Sequence, residues 1–269
     1  MLKLPAIVLL LAVAGAALPA GAQEMQPHRA AYDVAMLERG KAGSKVGSYA
    51  FELKQTCEGY QIYQRMRLDI DGGRGSVLSE QQSQMTESKD GRKLTFEHRS
   101  TANGKQTSLV KGGATLDANG VGEAVFTDPQ GQSVALPTGT MFPIALARET
   151  VKHAKAGDTG FDALFFFGEK PKAPQSVNVL IGRVPKRLAD LEMPKGAEAL
   201  IKGQGRIYYR GGFFDTDGKD KSKGEQTVFE MSSLMLDNGI ELYGTHEEGE
   251  GGIEYRISRL EPLPKPTCN

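Results

Sequence analysis

A mainly β fold, laid down as one long antiparallel meander with a single helix near residues 141–156, is what this sequence predicts, and three observations carry the prediction. Apolar and polar residues alternate with period two over long stretches, which is the pattern of strands with one buried and one wet face. Turn signals recur about every 8 to 12 residues. Glycine numbers 33 of 269 residues, roughly 12% against an average near 7%. In a β chain that excess belongs in turns and bulges.

The chain opens with Met1-Leu2-Lys3, the apolar run Leu4 to Val13 and the small-residue exit Ala20-Gly21-Ala22. One positive charge, an apolar core short of the roughly 18 residues of a membrane span, and a cleavage point after about Ala22 describe a secretory signal peptide over 1–22. No cysteine follows that point, which disfavours a lipid anchor. About 247 residues then remain for a mature domain over 23–269, ample for one core. Neither a fixed-period repeat nor a low-complexity linker divides them.

The mature chain starts with a strand led in by Pro27, with Ala30, Tyr32, Val34 and Met36 on one face and His28 and Arg29 at a solvated end. Gly40 to Gly47 reads as a turn into the hairpin Gly47 to Ile70. There Tyr49, Phe51 and Leu53, then Tyr60, Ile62, Met66, Leu68 and Ile70, alternate with polar partners around Cys57-Glu58-Gly59. The next strand, Val77 to Thr86, is polar on both faces through Glu80, Gln81, Gln82, Ser83 and Gln84. Such a strand is expected at an edge or lining something wet.

Leu94, Phe96 and His98 then share a face, and Asn103-Gly104 is a strong two-residue hairpin signal. Short strands follow, broken by Gly112-Gly113, Asn119-Gly120 and Asp128-Pro129. The period changes once, where Ile144, Ala147, Val151 and Ala154 fall at helical spacing, with Thr138 or Thr140 able to cap, Pro143 in the first turn and Gly157 able to close. His153 then sits in the last turn, where positive charge suits the helix dipole.

Phe161 to Phe167 is apolar on both faces and predicts burial on both, or a groove. Lys186 to Lys202 reads as a short helix broken by Pro194 and Gly196, and Asp215 to Gly224 as a charged loop. Strands resume at Val177 to Ile181, Arg206 to Arg210, Val228 to Leu236, Ile240 to Tyr243 and Ile253 to Leu260. Pro262, Pro264 and Pro266 extend a tail that delivers Cys268.

Lys plus Arg and Asp plus Glu both number 33, so the chain offers no electrostatic attraction to nucleic acid. Reaction motifs fail on inspection. His246-Glu247-Glu248-Gly249-Glu250 lacks the second histidine of a zinc-protease helix and reads as an acidic turn. Asp215-Thr216-Asp217-Gly218-Lys219-Asp220 misplaces the glycine of a calcium loop and puts a lysine at a ligand place. Ser108-Leu109-Val110-Lys111 lacks the partners of an S-x-x-K enzyme. No cofactor and no metal are expected. In an exported chain the two cysteines, Cys57 and Cys268, favour a bond, with free or intermolecular thiols the alternative. Closing a loop of about 212 residues would stabilise the fold by roughly 5 kcal/mol at the upper end.

Several stretches together resemble the cell envelope integrity protein B (EipB) family of secreted Gram-negative proteins. They are Pro27-His28-Arg29-Ala30 with Tyr32-Asp33, Leu136-Pro137-Thr138-Gly139-Thr140-Met141-Phe142-Pro143 before the helix, and Asn238-Gly239-Ile240 before the final strands, in order across the whole mature chain. The resemblance implies a periplasmic protein whose antiparallel sheet winds into a spiral or open barrel, stabilised by the Cys57–Cys268 pair. It implies no catalytic residues.

The expected function is non-enzymatic support of the cell envelope, as a binding or scaffold module acting through the curved sheet. A periplasmic carrier of lipid or acylated protein is the first alternative, and an unrecognised hydrolase the second. The expected groove carries Phe165, Phe166, Phe167, Gln82 and Gln84, with an envelope protein or an acyl ligand as partner. A sheet that does not close leaves edges free for self-association, without fixing an oligomeric state.

Overall fold

The computed structural model describes residues 24–38, 41–71, 75–216, 227–249 and 251–268. The expected signal peptide over 1–22 and the charged loop beyond Thr216 lie outside the described residues. One sheet of 15 strands organises the rest. From β1 (His28–Glu38) the chain steps outward through β2 (Lys41–Gln55), β3 (Gly59–Asp71), β4 (Ser76–Ser88), β5 (Lys93–Ala102), β6 (Lys105–Leu116), β7 (Gly122–Asp128) and β8 (Gln132–Leu136), each beside its predecessor. It restarts at the opposite edge with β9 (Thr140–Met141), followed by helix α1 (Pro143–Ala156). It then works back through β10 (Gly160–Phe165), β11 (Gln175–Gly182), β12 (Arg206–Phe214), β13 (Phe229–Leu236), β14 (Glu241–Glu248) and β15 (Gly251–Pro262). The last strand pairs with β1.

The two edge strands, β8 and β9, are separated in sequence by Pro137-Thr138-Gly139 alone. Three residues span on the order of 10 Å, so the edges of the sheet lie together and the sheet curls into a nearly closed barrel. The disulfide secures the other seam. Cys57, in the β2–β3 turn, bonds to Cys268 with Cα atoms 5.6 Å apart, and the tail that carries Cys268 leaves β15 with a backbone hydrogen bond from Leu263 to Pro27.

Helix α1 packs inside the barrel, with Ile144 and Val151 in a core shared with Leu53, Tyr60, Ile62, Phe96 and Phe126. Its first turn is held by neither Thr138 nor Thr140. Thr140 Oγ1 donates to the Pro137 carbonyl instead. The Glu87 carboxylate, from β4, accepts the backbone N–H groups of Ile144 and Ala145 at 2.7 and 2.8 Å. Free helix N–H groups and the positive end of the helix dipole explain why a carboxylate serves there. Burial nonetheless raises the Glu87 pKa to about 7, against those hydrogen bonds and the nearby Arg148. Gly157 closes the helix in the left-handed conformation, as expected.

Other expectations need correction. Strand β4 is no edge, because it pairs with β3 and β5 along its length. Its polar residues are accommodated by splitting between the faces: Met85 and Glu87 are buried while Gln84 and Thr86 are exposed. Gly112-Gly113 does not break β6; a Cβ on Gly112 would lie 2.7 Å from the Phe96 ring, so the glycine makes room for that ring within a continuous strand. Most of the expected Gly40 to Gly47 turn is strand, with irregular register at Val34 to Leu37 absorbing the extra residues. His28 is buried rather than solvated, and His246 lies in β14 rather than in a turn.

Between β11 and β12 the Lys186 to Lys202 segment forms two one-turn helices, α2 (Lys186–Ala189) and α3 (Glu198–Ile201), on either side of Pro194 and Gly196. Their Leu188, Ala197 and Leu200 pack on Leu234, Leu236, Ile240 and Leu242. Polar ties hold this pad in place: Arg187 donates to the Tyr243 hydroxyl at 2.9 Å and Asn238 to the Leu200 carbonyl at 2.9 Å.

Candidate functional site

A cavity of about 550 Å³ lies between α1 and the inner faces of β1–β3 and β10–β15. That volume is in the range of small-molecule sites. Strands β12 to β14 give it a direction. At one end stand the exposed Asp215 and Glu248, with Lys170 and Lys172 of the β10–β11 loop; at the other stand Tyr209, Met235 and Glu241. Five residue steps along β14 lead from Glu241 to His246, about 17 Å at strand rise.

Toward the exposed end the wall is aromatic. Rings follow one another from His246 to Phe229 (4.7 Å between centroids), Phe213 (4.2 Å), Phe165 (5.7 Å), Phe167 (6.0 Å) and His98 (4.9 Å). This ladder crosses from β14 to β5, so the aromatic run expected to form a groove is one segment of a larger belt. Phe165, Phe166 and Phe167 all line the cavity. Gln82 and Gln84 do not. They lie on the face of β4 opposite the buried Met85 and Glu87, where Gln82 donates to Glu80 at 2.6 Å. Ser83, on the inner face with Met85 and Glu87, is paired with His98 Nδ1 at 2.9 Å.

His98 Nε2 meets the Phe167 carbonyl at 3.0 Å. A carbonyl only accepts, so Nε2 carries the proton and Nδ1 accepts from the Ser83 hydroxyl. A serine beside a histidine invites a hydrolase reading. Here the histidine's second nitrogen holds a backbone carbonyl rather than a carboxylate, and neither side chain lines the cavity. The pair fastens β4 and β5 to the segment after β10.

The deep end is polar, and sequence parity does not reveal it. In β14 Gly244, opposite Ser233, shares the inner face with His246 and Glu248, so strict alternation would turn Glu241 outward. A register shift at Leu234/Met235 pairs Tyr243 with Leu234 and Glu241 with Met235, leaving Leu242 as the extra residue of a bulge. Bulges re-aim side chains, and this one brings Glu241 to the cavity wall.

Ser233 donates to the Glu241 carboxylate at 2.5 Å, the Tyr255 hydroxyl also hydrogen-bonds to it, and the Tyr32 hydroxyl donates to its backbone carbonyl at 2.9 Å. Tyr32, Tyr49 and Tyr255 pack ring against ring at 5.1 to 5.6 Å. Tyr255 fits because Gly244 faces it: a Cβ there would fall 2.2 Å from its ring. Burial raises the Glu241 pKa to about 7, while the hydrogen bonds from Ser233 and Tyr255 oppose the rise. Burial and the neighbouring Glu241 charge push the Tyr32, Tyr49, Tyr209 and Tyr255 hydroxyls upward, so all four stay neutral at ordinary pH.

His28, behind Phe51, has Nδ1 2.7 Å from the Gln26 carbonyl and a buried Nε2 without a protein partner. Burial lowers its pKa to about 4, against the raising effect of the Gln26 hydrogen bond. Among the described residues no group of three or more His, Cys, Asp or Glu is placed to hold a metal ion.

Comparison with known proteins places this architecture. Over 258 residues the chain is 28% identical to the cell envelope integrity protein EipB of Brucella abortus (strain 2308), covering 92% of this chain and 88% of that protein. The fold is also that of the crystal structure of a beta-barrel-like protein of domain of unknown function DUF1849 from Brucella abortus, with a TM-score of 0.76 at 19% identity. That match covers 90% of this chain and all of the other. The EipB-like family model spans residues 19–264, and the chain belongs to that family.

Proposed function

We propose that this protein supports the integrity of the cell envelope from the periplasm, as a non-enzymatic binding module that holds an apolar chain inside its barrel. The observation that carries the reading is the cavity of about 550 Å³ walled by Phe165, Phe167, Phe213, Val177 and Val179 and plugged along one side by α1. An apolar wall of that size with a few convergent polar groups suits an acyl or alkyl ligand. Envelope integrity comes from the relative's name. A periplasmic location is supported by the leader-like opening residues and by the Cys57–Cys268 bond, since disulfides persist in oxidising compartments.

The test is complementation. In a strand-preserving variant, Met231→Trp, the cavity is filled from β13. A deletion strain carrying it is expected to be as sensitive to detergent and cell-wall antibiotics as the deletion itself, while the folded variant still accumulates. Native mass spectrometry of wild-type protein taken from the periplasm is expected to show a co-purifying lipid-sized mass that the variant lacks. Full rescue by the filled variant would overturn the reading.

A further inference from the structure

The cavity is not uniformly apolar, and the position of its polar groups bears on what it holds. A site for a plain hydrocarbon tail has no use for a carboxylate and four tyrosines at its buried end, since desolvating such groups is unfavourable unless they are hydrogen-bonded. Ser233 and Tyr255 satisfy part of the Glu241 carboxylate. A carboxylate accepts about four hydrogen bonds, so capacity is left over for an incoming donor. The bulge at Leu242 and the glycine at 244 are both local irregularities whose effect is to bring Glu241 and Tyr255 together there. Gln64, from β3, also reaches this end of the lining and adds an amide able to donate and accept.

Charge decides the class of head group. The groups facing Glu241 come from every strand around it: Tyr32 of β1, Tyr49 of β2, Tyr209 of β12, Ser233 of β13 and Tyr255 of β15. None of them is a cation. A ligand carboxylate or phosphate at this end would meet an uncompensated negative charge at low dielectric, which costs several kcal/mol. A hydroxyl-bearing head would instead donate to it. The exposed Lys170 and Lys172 lie at the opposite, open end.

Resting on the binding role proposed above, we infer that the cavity takes a single-chain amphiphile head first, with an uncharged hydroxyl-bearing head on Glu241 and its chain running out along the aromatic belt. Anionic heads, free fatty acids among them, are rejected at the deep end.

The experiment uses the disulfide-intact mature protein and the neutral dye N-phenyl-1-naphthylamine, displaced at pH 8 by 1-monolaurin or by laurate, each below its micelle concentration. Monolaurin is expected to displace the dye at a concentration at least about tenfold lower than laurate. In Glu241→Gln the two should fall within about threefold, chiefly through tighter laurate binding. Because Glu241 is neutral well below its raised pKa, wild-type protein at pH 5.5 should show the same narrowing with dodecanesulfonate, whose head stays ionised at both pH values, in place of laurate, which tests the idea even if the variant does not fold.

Equal competition by the two at pH 8, or a ratio unchanged at pH 5.5 and in the variant, would overturn head-first selection while leaving the binding role standing. A fatty acid anchored tail-first by Lys170 and Lys172 would give that result. If the dye does not bind, or neither compound displaces it, the binding role fails and this inference fails with it.

Discussion

Strand β7 alternates down its length, with Ala124 and Phe126 inside the barrel and Glu123, Val125 and Thr127 in water, whereas β13 is buried on both faces from Ser232 to Leu236. The same kind of strand is therefore used in two ways. In the wall from β2 to β8 one face is wet, and among the described residues no helix covers it. In the wall from β12 to β15 the α2–α3 pad covers the outside with Leu188, Ala197 and Leu200. The Glu241 cluster sits on that covered wall. Inward-facing polar groups need fixed positions to be of use in recognition, and a strand packed on both faces supplies them.

The largest expected effect comes from cutting the joint between the two walls. Cys57 belongs to the wet wall and Cys268 follows the last strand of the covered one. Replacing both by serine should lower stability by up to about 5 kcal/mol, the value for constraining a loop of this length in the unfolded chain. Urea denaturation, with hydrogen exchange to locate the change, checks it. If the walls differ as described, amides of β2 to β4 should lose protection before those of β13 and β14. Simultaneous loss in both would show one cooperative unit and erase the distinction.

A pair of truncations sharpens the same comparison. Leu234, with no exposed surface, packs beneath the pad, so Leu234→Ala should cost about 2–5 kcal/mol through lost burial and the cavity left behind. Val125 is apolar too but 51% exposed on β7, and Val125→Ala should stay within about 0.5 kcal/mol. Equal costs in thermal or urea unfolding would mean that the pad does not brace β13.

The two walls were also unequally legible. In the hairpin of β2 and β3 the alternation of Tyr49, Phe51 and Leu53 with polar partners gives the buried face directly, because water on one side enforces period two. The helix and the antiparallel order of all but β9 could be read for similar local reasons, the disulfide from there being only two cysteines in an exported chain, and the curling of the sheet from family resemblance. The aromatic triplet at 165–167 pointed to the cavity. Glu241 did not stand out, since a one-residue bulge inverts parity without any composition signal beyond the nearby Asn238-Gly239 turn. Glu87 was hidden for a different reason: it caps a helix 57 positions away, and no pattern along the sequence records that meeting. Gln82 and Gln84 stand outside the aromatic cavity because a strand polar on both faces does not say which face turns inward; Gln84 instead lines a separate polar cavity with Tyr63, Thr86 and Glu97.

Smaller than the disulfide and Leu234 effects is that of Glu241→Gln, which bears on why the covered wall carries a carboxylate at all. Burial lifts its pKa from an ordinary 4.5 to about 7, so between those values the folded protein binds more protons than the unfolded chain. Stability therefore falls as pH rises through that window and levels off above it. The neutral isostere escapes this loss. Relative to wild type it should gain on the order of 1–3 kcal/mol at pH 8 and nothing at pH 4. Glu87, with a similarly raised pKa, and His28, lowered to about 4 and so acting with the opposite slope between about 4 and 6.5, also shape the wild-type curve. Both are unchanged in the variant, so the difference between the two urea-derived pH profiles isolates Glu241. A gain confined to high pH would mark a side chain that costs the fold stability where it is ionised, as groups kept for binding commonly do. A loss at every pH would instead make the carboxylate a structural member of the Ser233–Tyr255 network, and head-group selection would then need another residue.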